Sequence, residues 1–67
     1  MKIQVNGKQS EIPSNVTTVS ELLSYYELDN KVVIVELNEQ IVDKESHKET
    51  TLQDGDRVEL VHFVGGG

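Results

Sequence analysis

At 67 residues the chain has room for one small domain with a thin core, and not for a deep pocket of its own. It has no cysteine, which removes disulfides, Fe–S clusters and thiolate zinc sites, and its two histidines are too few for an all-histidine metal cage. Six basic residues against 12 acidic ones give a formal net charge of -6. This balance argues against nucleic acid and anionic membrane surfaces and favours a partner with a basic face.

No apolar run approaches the ~20 residues of a membrane span. Lys2 is followed by alternation and not by the apolar block of a signal peptide, so a cytoplasmic location is expected. The Asn15-Val16-Thr17 glycosylation triplet is then unused.

Met1, Ile3 and Val5 alternate with Lys2 and Gln4, the period of a half-buried strand. Asn6-Gly7 suits a type I′ turn, whose two central residues both need positive φ. A return strand is predicted from Lys8 to about Ile12, where Pro13 stops it. Thr18 and Glu21 have the spacing of a capping box. Val19, Leu22, Leu23 and Tyr26 then form one apolar stripe, with Ser20, Glu21, Ser24 and Glu27 on the other side. Leu28 breaks the stripe, so the helix is predicted to end near Glu27, with Asp29-Asn30 as the exit turn. Such a short helix persists only by docking on a sheet.

Val32-Val33-Ile34-Val35 is a continuous β-branched run and reads as a central strand covered on part of each side. Asn38-Glu39 turns the chain, and Ile41-Val42 suits a short strand. Residues 43–51 are polar and read as a loop crossing the surface, and Asp54-Gly55-Asp56 is a tight turn. The last strand runs from Arg57 to about Val64, with Val58 and Leu60 on one face and Glu59, Val61 and Phe63 on the other. The order of elements predicts an α+β domain: a mixed sheet of four to five strands with one helix packed across one face.

No catalytic residue and no metal ligand is assigned. The serines fall in turns or on the helix surface, and no nucleophile, base and carboxylate converge. His47 reads as a solvated loop residue, and His62 as a surface polar residue or a partner contact. They are too far apart for zinc-motif spacing. The informative feature is Gly65-Gly66-Gly67. One reading is an ordinary frayed end. The other is a flexible tail, slim enough without Cβ atoms to thread a narrow channel, on a domain formed by residues 1–64. As an anion its carboxylate is a poor electrophile. Joined to AMP it becomes a mixed anhydride, which a thiolate or persulfide attacks to give a thiocarboxylate or an acyl persulfide. A chain without cysteine then carries sulfur. Val61 and Phe63 are expected to seat the domain on its partner, with Glu59 and the nearby Glu36, Glu39, Asp54 and Asp56 steering a basic surface.

An ordered set of residues carries a family resemblance over nearly the whole chain. It comprises Val5-Asn6-Gly7, Thr18-Val19 with Leu22-Leu23, Val35-Glu36-Leu37-Asn38 and Ile41-Val42. It continues with Leu52-Gln53-Asp54-Gly55-Asp56, Val58-Glu59-Leu60-Val61 and Phe63-Val64-Gly65-Gly66-Gly67. The chain resembles the small sulfur carrier proteins of thiamine thiazole biosynthesis, which have a ubiquitin-like β-grasp fold. The resemblance implies that Gly67 is the acceptor carbon and that Gly65 and Gly66 thread the partner's site. It implies a ubiquitin-activating-type adenylating enzyme that consumes ATP, with no cofactor bound to the carrier itself. A cysteine desulfurase is implied as the indirect sulfur source and thiazole synthase as the recipient. Ile34 stands where the family often has Ala, and Asp43-Lys44 where it often has Pro-Arg. The alternatives are the small subunit of molybdopterin synthase, a protein modifier attached to lysines, and a plain β-grasp binding module.

Overall fold

The computed structural model describes residues 1–62; Phe63, Val64 and the three terminal glycines lie outside the described residues. The described chain runs β1 (Lys2–Val5), β2 (Lys8–Glu11), α1 (Val19–Tyr25), β3 (Val33–Leu37), β4 (Gln40–Val42) and β5 (Arg57–His62). A single 3-10 turn at Lys44–Ser46 lies between β4 and β5. The five strands form one mixed sheet in the order β2-β1-β5-β3-β4. β1 and β5 are parallel, and the other three pairs are antiparallel. This is the expected β-grasp architecture.

Both hairpins turn at paired residues of positive φ. Asn6 (50°) and Gly7 (83°) join β1 to β2, and Asn38 (51°) and Glu39 (72°) join β3 to β4. These angles match the right-handed twist of the strands. Asn pays little for this conformation, whereas Glu39 has no such tolerance.

The helix starts at the expected capping box. The Glu21 amide donates to Thr18 Oγ1 at 3.1 Å, and the Thr18 amide donates back to Glu21 Oε1 at 3.3 Å. Val19, Leu22 and Leu23 bury the apolar stripe against the sheet, and Tyr26 packs partly against the same core. Each fully buried aliphatic side chain contributes roughly 1.5–3 kcal/mol, which holds a helix too short to persist in water. Glu27 adopts φ 60° just past the C-cap residue Tyr26. The Leu28 amide donates to the Leu23 carbonyl at 2.7 Å and the Glu27 amide to the Ser24 carbonyl at 2.9 Å. This is a Schellman exit, and it turns Leu28 back onto the core.

Two expectations are corrected. The segment from residue 43 to 51 does not simply cross the surface, and His47 is not a solvated loop residue: it is buried. The reason is the helix N-terminus, which needs acceptors for its free amides. The Ser20 amide donates to the His47 carbonyl and the Val19 amide to the Thr50 carbonyl, both at 3.0 Å. The His47 ring is held by the Val42 carbonyl, 3.2 Å from Nε2. A carbonyl only accepts, so Nε2 carries the hydrogen. Leu52 joins the core next to this segment.

The second correction concerns Val32 to Val35. β5, not β3, is the middle strand of the sheet. β3 begins at Val33 and is buried on one face only, where Val35 has no exposed surface. On its other face Ile34 is 46% exposed, and Val32, ahead of the strand, is 74% exposed. An apolar run on both faces therefore marks an open apolar surface here, and not two covered sides.

Candidate functional site

The candidate site has two parts: the strand that leads into the terminal glycines, and the open face beside it. β5 is held on both flanks. On one side it runs parallel to β1, with Val5 opposite Val58. On the other it pairs with β3 from Leu37↔Val58 to Val33↔His62. The two turn asparagines add to these ladders. Asn6 Oδ1 accepts from the Leu60 amide at 2.7 Å, and Asn6 Nδ2 donates to the Leu60 carbonyl at 3.2 Å. Asn38 Oδ1 accepts from the Arg57 amide at 3.0 Å, and Asn38 Nδ2 donates to Asp56 Oδ1 at 3.1 Å. Each asparagine thus closes a hairpin and also grips the middle strand from a neighbouring one. β5 is thus paired as far as His62, the last of the described residues.

Alternation along β5 divides its side chains as expected. Val58 and Leu60 are buried under the helix, whereas Glu59 and Val61 are exposed on the opposite face. His62 belongs to the core side and is partly buried, and its Nδ1 has no hydrogen-bond partner among the described residues. Phe63, Gly65, Gly66 and Gly67, also expected to take part in the site, lie outside the described residues.

On the open face β5 meets β3 with Val61 opposite Ile34 and Glu59 opposite Glu36. β4 continues the row with Ile41 opposite Glu36. Val61 is 54% exposed and Ile41 66%. The sequence reading had Glu59, Val61 and Glu36 near one another but missed Ile34 and Ile41 as members of the same face. No sequence signal singled these two out, because Val32 to Val35 is apolar at every position; they share a face only because the folded sheet covers β3 on one side and pairs Ile41 with Glu36.

Residues 3–67 match the family model described as the ThiS family. The chain belongs to the ThiS family. It is 48% identical over 65 residues to the sulfur carrier protein ThiS of Bacillus subtilis, a match covering 97% of this chain and 98% of that one. The crystal structure of the thiamine biosynthesis protein ThiS from Geobacter metallireducens superposes with a TM-score of 0.82 at 40% identity, over 100% of both chains. A third match is to the thiazole synthase of Paramagnetospirillum magneticum, 39% identical over 67 residues; it takes in 100% of this chain and 20% of that protein. ThiS proteins are sulfur carriers of thiamine biosynthesis, and the β-grasp domain of this ThiS-family chain is the protein-borne carrier.

Proposed function

We propose that this ThiS-family chain carries sulfur on the carboxyl carbon of Gly67, for thiazole formation in thiamine biosynthesis. The observation that carries the reading is the family match, which runs through the last glycine. The Gly67 carboxylate attacks the α-phosphate of ATP on a ubiquitin-activating-type adenylating enzyme, and pyrophosphate leaves. A persulfide sulfur, drawn from cysteine by a desulfurase, then attacks the acyl-adenylate and expels AMP. Cleavage of the acyl disulfide by a thiol leaves the thiocarboxylate, which thiazole synthase consumes. ATP is the partner's substrate, and the carrier binds no cofactor.

The division of labour follows the chain. Residues 1–64 are the part the partner grips, and Gly65, Gly66 and Gly67 enter its active site, where a Cβ would cost clearance. Val61, Phe63 and Glu59 dock the domain. The exposure of Val61 and Glu59 on the open face supports this assignment. The absence, among the described residues, of any helix long and apolar enough to cross a membrane fits a cytoplasmic carrier.

The test is intact-protein mass spectrometry after incubation with the adenylating enzyme, a desulfurase, cysteine and ATP. The full chain should gain the mass of one oxygen replaced by one sulfur, located at its last residue, and a chain lacking Gly67 should gain nothing. A full chain that stays unchanged, or that gains mass elsewhere, overturns the reading. Rescue of a thiazole auxotroph, and not of a molybdopterin auxotroph, identifies the recipient pathway.

A further inference from the structure

We propose that the open face of the sheet receives one arginine of the partner between Glu36 and Glu59, with Ile34, Val61 and Ile41 as its apolar surround. The inference rests on the carrier reading and specifies what the docking partner must present. Glu36 and Glu59 are direct register partners across β3 and β5. Like charges placed opposite each other in a sheet destabilise it. Among the described residues neither forms an ion pair. Arg57, on the same face of β5, turns instead to Glu39 at 3.6 Å, and the other ion pair joins the N-terminus to Glu11. The pair lies in the cross-strand row Glu59–Glu36–Ile41, and the next row on the same face is Ile34 opposite Val61, so that three exposed apolar side chains flank the two carboxylates.

The occupant follows from this chemistry. A second copy of the chain would bring another pair of glutamates onto the first. Two carboxylates alone do not complete an oxygen cage for a divalent ion. A guanidinium suits the place, because its planar fork reaches two carboxylates at once and its faces tolerate apolar neighbours. Closure of the apolar surround then removes water from the charges and strengthens their attraction.

The experiment measures affinity for the adenylating enzyme of the same organism by calorimetry, at low and high salt. It compares the unaltered chain with Glu36→Gln, Glu59→Gln and the control Glu27→Gln, which makes the same charge change at an exposed residue just past the helix. Glu36→Gln and Glu59→Gln should each weaken binding roughly fivefold at low salt, less at high salt, while each isolated domain melts no lower than the unaltered one. Glu27→Gln should bind within about twofold of the unaltered chain. Equal binding by all variants, or an equal loss in Glu27→Gln, overturns the proposal, as does an unaltered chain that does not bind. Thiocarboxylate formation at saturating enzyme is scored in the same samples. If the unaltered chain binds but never gains sulfur, the carrier reading fails, and the arginine seat is still decided by the affinities.

Discussion

Asn6 closes the first hairpin with positive φ and, from that turn, holds Leu60 on the middle strand through both its amide and its carbonyl. The turn that starts the fold thereby anchors the strand that precedes the glycines. Asn6→Gly keeps the turn conformation and loses both side-chain bonds, an expected cost of about 1–2 kcal/mol. Asn6→Asp keeps the acceptor for the Leu60 amide but sets a carboxylate against the Leu60 carbonyl. It should cost about 1–3 kcal/mol at neutral pH and recover in part when the carboxyl is protonated. Urea unfolding gives the energies, and hydrogen exchange at the Leu60 amide gives the location. An Asn6→Asp domain as stable as the unaltered one would show that this side chain does not hold the strand.

Most of the frame was legible because local chemistry and tertiary need coincide. Asn6-Gly7 and Asn38-Glu39 sit at their turns, Thr18 and Glu21 form their box, and the facing of Val58, Leu60, Glu59 and Val61 follows simple alternation. The misreadings came where a residue's place depends on a distant segment. His47 is buried because the amides at the start of α1 need acceptors from residues 47 and 50, which no local pattern announces. The open face was hidden because Val32 to Val35 reads the same whether its outer side chains are covered by the protein itself or left for a partner. Burial of Val35 beside exposure of Ile34 decides the matter, and that contrast exists only in the folded sheet.

The helix exit offers a stabilising change. Glu27 occupies the left-handed position of the Schellman turn at φ 60°, where glycine pays no steric penalty. It lies outside the helix ladder and is exposed. Glu27→Gly should therefore raise stability by about 1 kcal/mol, the approximate penalty removed at that residue. An increased midpoint in urea with an unchanged slope checks it, and a lowered midpoint would show that the exit is not strained.

The helix start sets an acid dependence. Glu21 Oε1 accepts from the Thr17 amide and the Thr17 hydroxyl, each at 2.8 Å, as well as from Thr18. These bonds, the Thr17 amide first, favour the ionised carboxylate and hold its pKa below the usual glutamate value. The folded pKa is thus depressed relative to the unfolded one. The associated stability is fully present above the usual glutamate range and is lost as the pH falls through the folded value. Glu21→Gln should accordingly be less stable than the unaltered domain at neutral pH, with the gap narrowing in acid. Melting temperatures across that range measure the gap, and a gap that stays constant would mean that ionisation of Glu21 contributes nothing.

Two adjacent residues of β5 should respond in opposite ways. Leu60 points into the core and Val61 out onto the open face, 6% and 54% exposed. Leu60→Ala removes buried methyl groups and should cost about 2–5 kcal/mol of folding stability. Val61→Thr keeps the β-branched shape on an exposed strand face and should cost less than about 1 kcal/mol. The same holds for Ile34→Thr on the opposing strand, since Ile34 is half exposed and pairs with Val61. If the open face seats the domain on its partner, both outward changes weaken that complex while the isolated domain stays folded, by about 1–2 kcal/mol of binding each. Calorimetric titration against the adenylating enzyme, beside thermal melts of the free domains, separates the two effects. Binding undiminished in both Val61→Thr and Ile34→Thr would remove this face from the docking surface. The partner's grip would then have to fall on the helix side or on the segment after His62.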